Sequence, residues 1–341
     1  MGSGKTTSFD IAYRAGVSQA TVSRAMRDSP LVNPATREKI KKIAQELNYQ
    51  IDRTASRLRS QQSHTLALLL FEDPTTDDSQ INPFFLSMLG NITRAAARRN
   101  YDLLVSFQHL SDDWHITYEV SNRADGIILL GYGEYSSFVD KVEKLVNAGA
   151  HFVVWGATGE HLGAHSVGCD NGRGAFDATM HLIGLGRKNI AFFGSTTVDS
   201  PELKQRYEGY CKALKSAGIQ IDAGLQFDAD NQETSGASAA ASLVNSGKSF
   251  DAIFTASDLI AIGTIKHLRA MGIKVPTDVS VVGFDNIPAA SYFNPSLTTV
   301  HQDTIAAGEQ LVNQVIQMIN GETPTSQLLE PTLIVRGSCG A

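Results

Sequence analysis

Two sets of residues in this chain have the types and spacing to do chemistry. The first runs from Ser18 to Arg27, where Gln19, Ala20, Thr21, Ser23, Arg24 and Arg27 are left free when Val22, Ala25 and Met26 turn inward at i, i+3 and i+4. Short hydrogen-bonding groups and arginines on one helix face suit phosphate oxygens and base edges in a major groove. The second set follows short apolar runs: Asp73 (with Glu72), Tyr132, Trp155, Ser195, Ser257-Asp258 and Asp285-Asn286, with Phe84 and Phe284 nearby. Carboxylates and hydroxyls mixed with aromatic faces suit a polyhydroxylated ligand, because carboxylates accept from hydroxyl pairs and aromatic rings cover C–H surfaces. Asp258 is expected to cap the helix that follows it, whereas Asp285 stays open between capping and ligand binding.

The first set needs two crossing helices to hold it. In SFDIAYRAGVSQATVSRAMR, residues 8–27, Ile11, Ala12 and Ala15 share a face, Ser8 is the expected N-cap, Gly16 allows a turn and Ser18 caps the second helix. Asn33-Pro34 then reads as N-cap and first residue of a third helix reaching about Leu47, with Ile40, Ile43, Ala44 and Leu47 inward. The spacing alone fits an ordinary helical hairpin as well as a DNA-binding helix-turn-helix. Charge separates the two readings. Residues 1–62 hold eleven Lys/Arg against five acids, a net +6, which leaves −12 on residues 63–341. A basic head on an acidic body marks a nucleic-acid-facing segment joined to a different module. Residues 49–62, YQIDRTASRLRSQQ, read as a polar, basic linker in which Ala55, Leu58 and Arg59 share one face of a possible helical turn.

The second set needs an α/β body. LALLLF (66–71), YDLLVSF (101–107), GIILL (126–130), HFVVW (151–155), SVGCD (166–170), IAFFG (190–194), DAIFT (251–255) and VSVVGFD (279–285) read as strands. Between most of them lie amphipathic helices, 83–99, 136–149, 174–186, 205–218 and 258–272, and a last helix spans 303–319. Short apolar strands alternating with helices predict parallel, doubly wound sheets. About 275 residues exceed one open sheet, so two similar lobes with a cleft between them are expected. Ligands of such sheets bind beyond the carboxyl ends of the strands, which is where the second set falls.

Other chemistries find little support. Gly4-Lys5-Thr6 lacks the upstream strand of a phosphate loop, and Gly184-Leu185-Gly186 follows a helix and reads as its cap. His161 and His165 stand in a loop-like setting around Gly163, unlike a metal site. No nucleophile elbow, Cys–His pair or catalytic carboxylate pair is suggested, so neither an enzyme nor a cofactor or metal is expected. Cys169, Cys211 and Cys339 show no paired spacing and fit free thiols of a reducing cytoplasm. No run reaches the length of a membrane span, and the N-terminus lacks an apolar export signal, so the expected location is cytoplasmic.

The whole chain resembles the lactose/galactose-repressor family of bacterial transcription factors. The head carries DIAYRAGVSQATVSRAM, and the body carries in order NPFF (82–85), YDLL (101–104), DGIILL (125–130), VGCDN (167–171) and HLIGLGRKNIAFFG (181–194). RYEGY (206–210), ASDLIAIG (256–263), VPTDVSVVGFDN (275–286) and PSLTTVHQ (295–302) follow. The resemblance implies a helix-turn-helix head (1–50), a hinge helix (51–63) and a periplasmic-binding-protein-like body. Its N-terminal lobe would be 64–169 with 300–325, and its C-terminal lobe 170–299 with 326–341, with crossings near Asp170, Thr299 and Ser326. It further implies a homodimer on operator DNA, with a small effector, a mono- or oligosaccharide, held between the lobes and a purine or nucleoside as the alternative. Gln19 and Ala20 would read bases, and Ser18, Thr21, Ser23 and Arg24 would contact phosphates and bases, with Thr7, Arg27, Asn33 and Tyr49 as further contacts. Leu58 would wedge into the minor groove. Ile51-Asp52 stands where the family usually has Pro-Asn, which leaves the start of the hinge helix open. In the cleft Arg206 and Asp285 would clamp the effector, with Asp73, Phe84, Tyr132, Trp155 and Ser257 around it. No heptad pattern follows Val335, so a dimer without tetramerisation is expected.

Overall fold

The computed structural model describes residues 6–49, 62–71, 81–108, 113–131, 135–156, 165–197 and 200–341. The chain divides into two compact units, Met1–Gln62 and Ser63–Ala341.

In the first unit, three helices enclose a small apolar core: α1 (Ser8–Ala15), α2 (Gln19–Met26) and α3 (Pro34–Glu46). Ile11, Ala12, Ala15, Val22, Ala25, Val32, Ile40, Ile43 and Ala44 are buried together, as the helical spacing requires. Gly16 sits at φ +71°, a conformation that costs a side-chain-bearing residue, and ends α1. The cap of α1 differs from expectation. Thr7, not Ser8, is the N-cap, because Asp10 three residues on bonds back to the Thr7 amide and hydroxyl in a capping box. Ser8 starts the helix, and its hydroxyl accepts from Gln19 Nε2 at 2.7 Å. Ser18 caps α2 and Asn33 caps α3, with Pro34 in the first turn.

The second unit contains two six-stranded sheets. The first joins β1 (Thr65–Phe71), β2 (Asp102–Gln108), β3 (Gly126–Leu130), β4 (Phe152–Trp155), β5 (Ser166–Cys169) and β11 (Gln327–Leu329) in the order β11-β5-β4-β3-β1-β2. The second joins β6 (Ile190–Phe193), β7 (Gln226–Phe227), β8 (Ala252–Thr255), β9 (Ser280–Asp285), β10 (Thr298–His301) and β12 (Thr332–Ile334) in the order β12-β10-β9-β8-β6-β7. Successive side chains of β1 enter different cores: Leu66, Leu68 and Leu70 join one cluster, Ala67 and Leu69 the other. This is why the strands read as unbroken apolar runs. The sheets are parallel apart from β12, which runs antiparallel to β10, so the all-parallel expectation fails at that edge.

Helices cover both faces: α4 (Pro83–Arg98), α5 (Tyr135–Asn147), α6 (Asn171–Gly184), α7 (Pro201–Ser216), α8 (Glu233–Asn245), α9 (Asp258–Ala270), the short α10 (Pro288–Tyr292) and α11 (Thr304–Ile319). A π-helical turn, Ile116–Val120, precedes β3. Sequence periodicity passed over α8, whose ETSGASAAASLVN has too little apolar contrast. Its small residues serve close packing instead: a Cβ at Gly236 would sit 2.1 Å from the Ile260 carbonyl oxygen of α9.

The chain leaves the first sheet after Cys169, near the expected Asp170. The other two crossings lie further along than expected. All of β10 belongs to the second sheet, so the chain returns at Gln302-Asp303 rather than Thr299. β11 pairs with β5 in the first sheet, so the last crossing is at Glu330-Pro331 rather than Ser326. Three-residue strands on either side of a proline carry too short a pattern to assign beforehand.

Candidate ligand cleft and candidate nucleic-acid face

Parallel strands deliver their last residues to one edge of each sheet, where the following helices begin. At that edge of the second sheet, β9 ends at Asp285 and β8 leads into Ala256 and Ser257, while α7 brings Arg206 alongside. Arg206 and Asp285 form a buried ion pair, Nη1 to Oδ1 at 3.3 Å, with side chains 1% and 2% exposed. The guanidinium lies over the Phe284 ring at 3.7 Å and also donates from Nη1 to the Ala256 carbonyl. Its Nε donates to Asn171 Oδ1 at 2.8 Å, and Asn171 Nδ2 donates to the Cys169 carbonyl at 3.1 Å. Asp285 Oδ1 accepts a second bond, from Gln302 Nε2 at 2.8 Å.

Asn171 stands at the first crossing and Gln302 at the second. One ion pair is therefore hydrogen-bonded to two of the three connections between lobes. Neither residue stood out in the sequence, because lone amides beside short strands carry no pattern; VGCDN and VHQ were visible only as landmarks. Asp285 has φ +110°, an uncommon conformation for a non-glycine residue, at the last position of β9. Burial raises its pKa to about 6, against the lowering effect of Arg206 and of the Gln302 bond. Both of these bonds end on Oδ1, so Oδ2 is the carboxylate oxygen left for an incoming hydroxyl.

Asp258 does not have the expected role. Ser257 caps α9 by accepting from the Ile260 amide. Asp258 is instead a buried brace: Oδ2 accepts from the Ile287 amide at 2.8 Å and Oδ1 accepts from the Thr299 hydroxyl. Burial, then the charge of Asp285, raise its pKa well above the usual carboxylate range. Asp285 caps no helix, since Ile287 is the N-cap of α10.

In the first lobe, Trp155 ends β4 and Phe84 lies in the first turn of α4, and their ring centroids are 6.1 Å apart. Both are buried, Phe84 at 1% and Trp155 at 4% exposure, so the two rings pack as core before any ligand is considered. The lobes meet next to them. A Cβ at Gly156 would lie 2.7 Å from Glu202 Oε1, and Glu202 precedes Arg206 by one turn of α7. The structure thus brings together Arg206 with Asp285 and Phe84 with Trp155. Ser257 is fully buried and committed to its cap, while Asp73 and Tyr132 lie outside the described residues.

In the first unit, Ala20 and Arg24 are exposed on α2 and Arg27 at its C-cap, and Gln19, Thr21 and Ser23 are half-buried. Arg27 Nη2 donates to Ser23 Oγ at 2.9 Å, and Thr21 Oγ1 lies 2.9 Å from Ser18 Oγ. Thr7 and Asn33 are exposed caps. Tyr49 is half-buried against the head core. Leu58 and the expected hinge helix lie outside the described residues.

Comparison with known proteins agrees with both units. Residues 9–52 match the family of bacterial regulatory proteins called lacI, and residues 179–339 match a periplasmic binding protein-like domain. The chain is 33% identical to the HTH-type transcriptional regulator RegA of Clostridium saccharobutylicum, over 98% of this chain and 99% of that protein. It is 31% identical to the regulator CelR of Thermobifida fusca, over 96% of each. Among solved structures, a CelR–cellobiose complex matches with a TM-score of 0.71 at 29% identity, covering 98% of this chain and 99% of that one. The lac repressor dimer bound to operator and an anti-inducer has the same fold, with a TM-score of 0.82 at 24% identity over 99% of this chain and 100% of that one.

Proposed function

This chain belongs to the LacI family of bacterial regulatory proteins and is a DNA-binding transcriptional regulator; from that premise we propose that it is a repressor switched by a small sugar held at the Arg206–Asp285 pair. One observation carries the switch. The pair that would clamp ligand hydroxyls is bonded to Asn171 and Gln302, one at each of two lobe crossings. A ligand that re-orders the pair must then re-set the crossings, and differential affinity for two lobe arrangements is what allostery requires. The CelR–cellobiose complex supports a sugar as the ligand class, because its covered length and fold match this chain.

Gln19 and Ala20 read bases in this proposal, while Ser18, Thr21, Ser23, Arg24 and Arg27 position α2 on phosphates and Thr7, Asn33 and Tyr49 lie at the margins. The protein works in the cytoplasm as a homodimer, so that two α2 helices meet a roughly palindromic operator. Val105 and Phe107 are exposed apolar side chains on edge strand β2, a place where a second copy would pair. Among the described residues, no helix is long and apolar enough to cross a membrane.

The test is a thermal-shift panel of mono- and disaccharides, nucleosides and purines on the full chain. A ligand of the folded state raises the midpoint by mass action. A sugar that raises it in the wild type and not in Asp285→Asn supports the reading. A nucleoside or purine as sole hit overturns the ligand class and leaves the regulator intact.

A further inference from the structure

Recognition of a phosphate or carboxylate group needs free helix N-terminal amides or an unpaired cation. The carboxyl edges of the two sheets provide neither among the described residues. Asp170 caps α6 by accepting from the Arg173 amide at 2.9 Å, and Asp303 caps α11 by accepting from Ile305 and Ala306. Asn82 caps α4 and Ser257 caps α9. Three described starts lack a side-chain cap: α7 and α8 carry Glu202 and Glu233 in their first turns, and the short α10 begins at Ile287, whose amide is taken by Asp258 Oδ2. At these described starts a ligand anion would meet either amides already taken by a cap or the protein's own carboxylates.

The cations near this edge are spent or turned away. Arg206 is buried and committed to Asp285, Asn171 and the Ala256 carbonyl. Arg173 is paired with Asp177 at 2.7 Å. Lys204 lies two residues from both Glu202 and Arg206, roughly 200° around α7 from either, so it faces away from them. Asp228 and Asp230 follow β7, and no Lys or Arg interrupts 228–232. The opposite edge of the second sheet differs, with Arg187-Lys188 before β6, Lys248 before β8 and Lys274 before β9. Helix dipoles explain part of this segregation, since acids suit helix starts and bases suit helix ends. They do not explain Asp285, which caps nothing, or Asp228 and Asp230, which precede the Gln232 cap of α8.

We propose that the cleft is selective for charge: it takes a neutral polyhydroxylated ligand and rejects its phosphate ester or uronic acid. This rests on the ligand reading above. Within the pair, the polar atom left open among the described residues is Asp285 Oδ2, an acceptor that welcomes hydroxyl hydrogens and repels an anion. A phosphorylated sugar would bring two negative charges to an edge where, among the described residues, no cation is both unpaired and turned toward it.

The charge of the edge can be measured without knowing the ligand. Thr197→Cys places a thiol on an exposed position after β6, and Ser249→Cys places one on the opposite edge, with wild-type reactivity subtracted for the native thiols. Each variant, as the full chain, is reacted at low ionic strength with a cationic trimethylammonioethyl and an anionic sulfonatoethyl methanethiosulfonate. The proposal expects the cation-to-anion rate ratio to be at least tenfold higher for Thr197→Cys than for Ser249→Cys, with the difference shrinking in salt. Ratios within twofold, or reversed, overturn it. Matched ligands give a second reading: glucose with glucose 6-phosphate, ribose with ribose 5-phosphate, galactose with galacturonate. A larger midpoint rise with the charged member of a pair overturns the proposal, and a rise with the neutral member alone supports it. If no pair moves the midpoint, the ligand reading is what fails, and the thiol rates still decide the charge of the edge.

Discussion

At the scale of single residues, the Arg206–Asp285 pair concentrates the largest energies and the clearest predictions. Removing one member of a buried pair strands the other, at a cost of about 3–5 kcal/mol. Arg206→Met should therefore lower the urea midpoint of the body strongly, whereas Thr197→Ala on the exposed rim should leave it almost unchanged. Acid acts differently. With Asp285 raised to about 6 by burial, the ionised form that accepts ligand hydroxyls is lost as pH falls through 6. Ligand affinity should fall about tenfold per pH unit below that point. The same group has the opposite effect on stability: its folded pKa lies above the ordinary carboxylate value, so proton uptake between pH 6 and 4 favours the folded state. Calorimetric titration at pH 7.5, 6 and 5 checks the affinity, and urea unfolding over the same range checks the sign. An affinity that stays flat with pH removes Asp285 from the contact. Sequence reading found this aspartate through its place after VSVVGF, but not its partners. Asn171 and Gln302 lie 114 and 17 residues away, and only the fold brings them to it.

Elements differ in how openly the sequence declares them. The head was legible nearly to the residue, because caps, the left-handed Gly16 and the inward row from Ile11 to Ala44 are local signals that agree with one another. The one error, Ser8 for Thr7, arose where two adjacent hydroxyl residues compete and Asp10 selects the first through its capping box. Ser18→Ala should cost about 1 kcal/mol by removing the cap of α2. It should weaken operator binding more than an alanine at exposed Gln45, as fluorescence anisotropy on a selected operator would show. The lobe crossings were located less well, since β10, β11 and β12 are three or four residues long and their pairing is decided across the sheet. They are also where coupling belongs. Gln302→Leu removes the donor to Asp285 while keeping much of the volume. It should shift operator affinity at least fivefold with no ligand present, and change the thermal midpoint little. A midpoint loss with unchanged operator affinity would make Gln302 a structural residue only.

For the whole molecule, the charge division is the feature that sequence and function share most directly. A net +6 on residues 1–62 and −12 on 63–341 means that DNA attraction resides in the head, while the body repels the polyanion. The logarithm of operator affinity should fall linearly with the logarithm of salt concentration, and Arg24→Ala should reduce the slope by about one. Composition, alternation and strand-end residues sufficed for the two-lobed architecture. They could not supply the antiparallel β12 or the engaged state of Ser257, which depend on pairing across the sheet and on helix starts. The central claim is that a neutral ligand at the Asp285 edge controls the DNA affinity of the head. It is tested most directly by titrating a fluorescent operator, enriched from a random duplex library, with the full chain in the absence and presence of the sugar that raises its thermal midpoint. The account predicts a change in operator affinity of tenfold or more, absent in Asp285→Asn. A sugar that binds tightly and leaves operator affinity within twofold would contradict it.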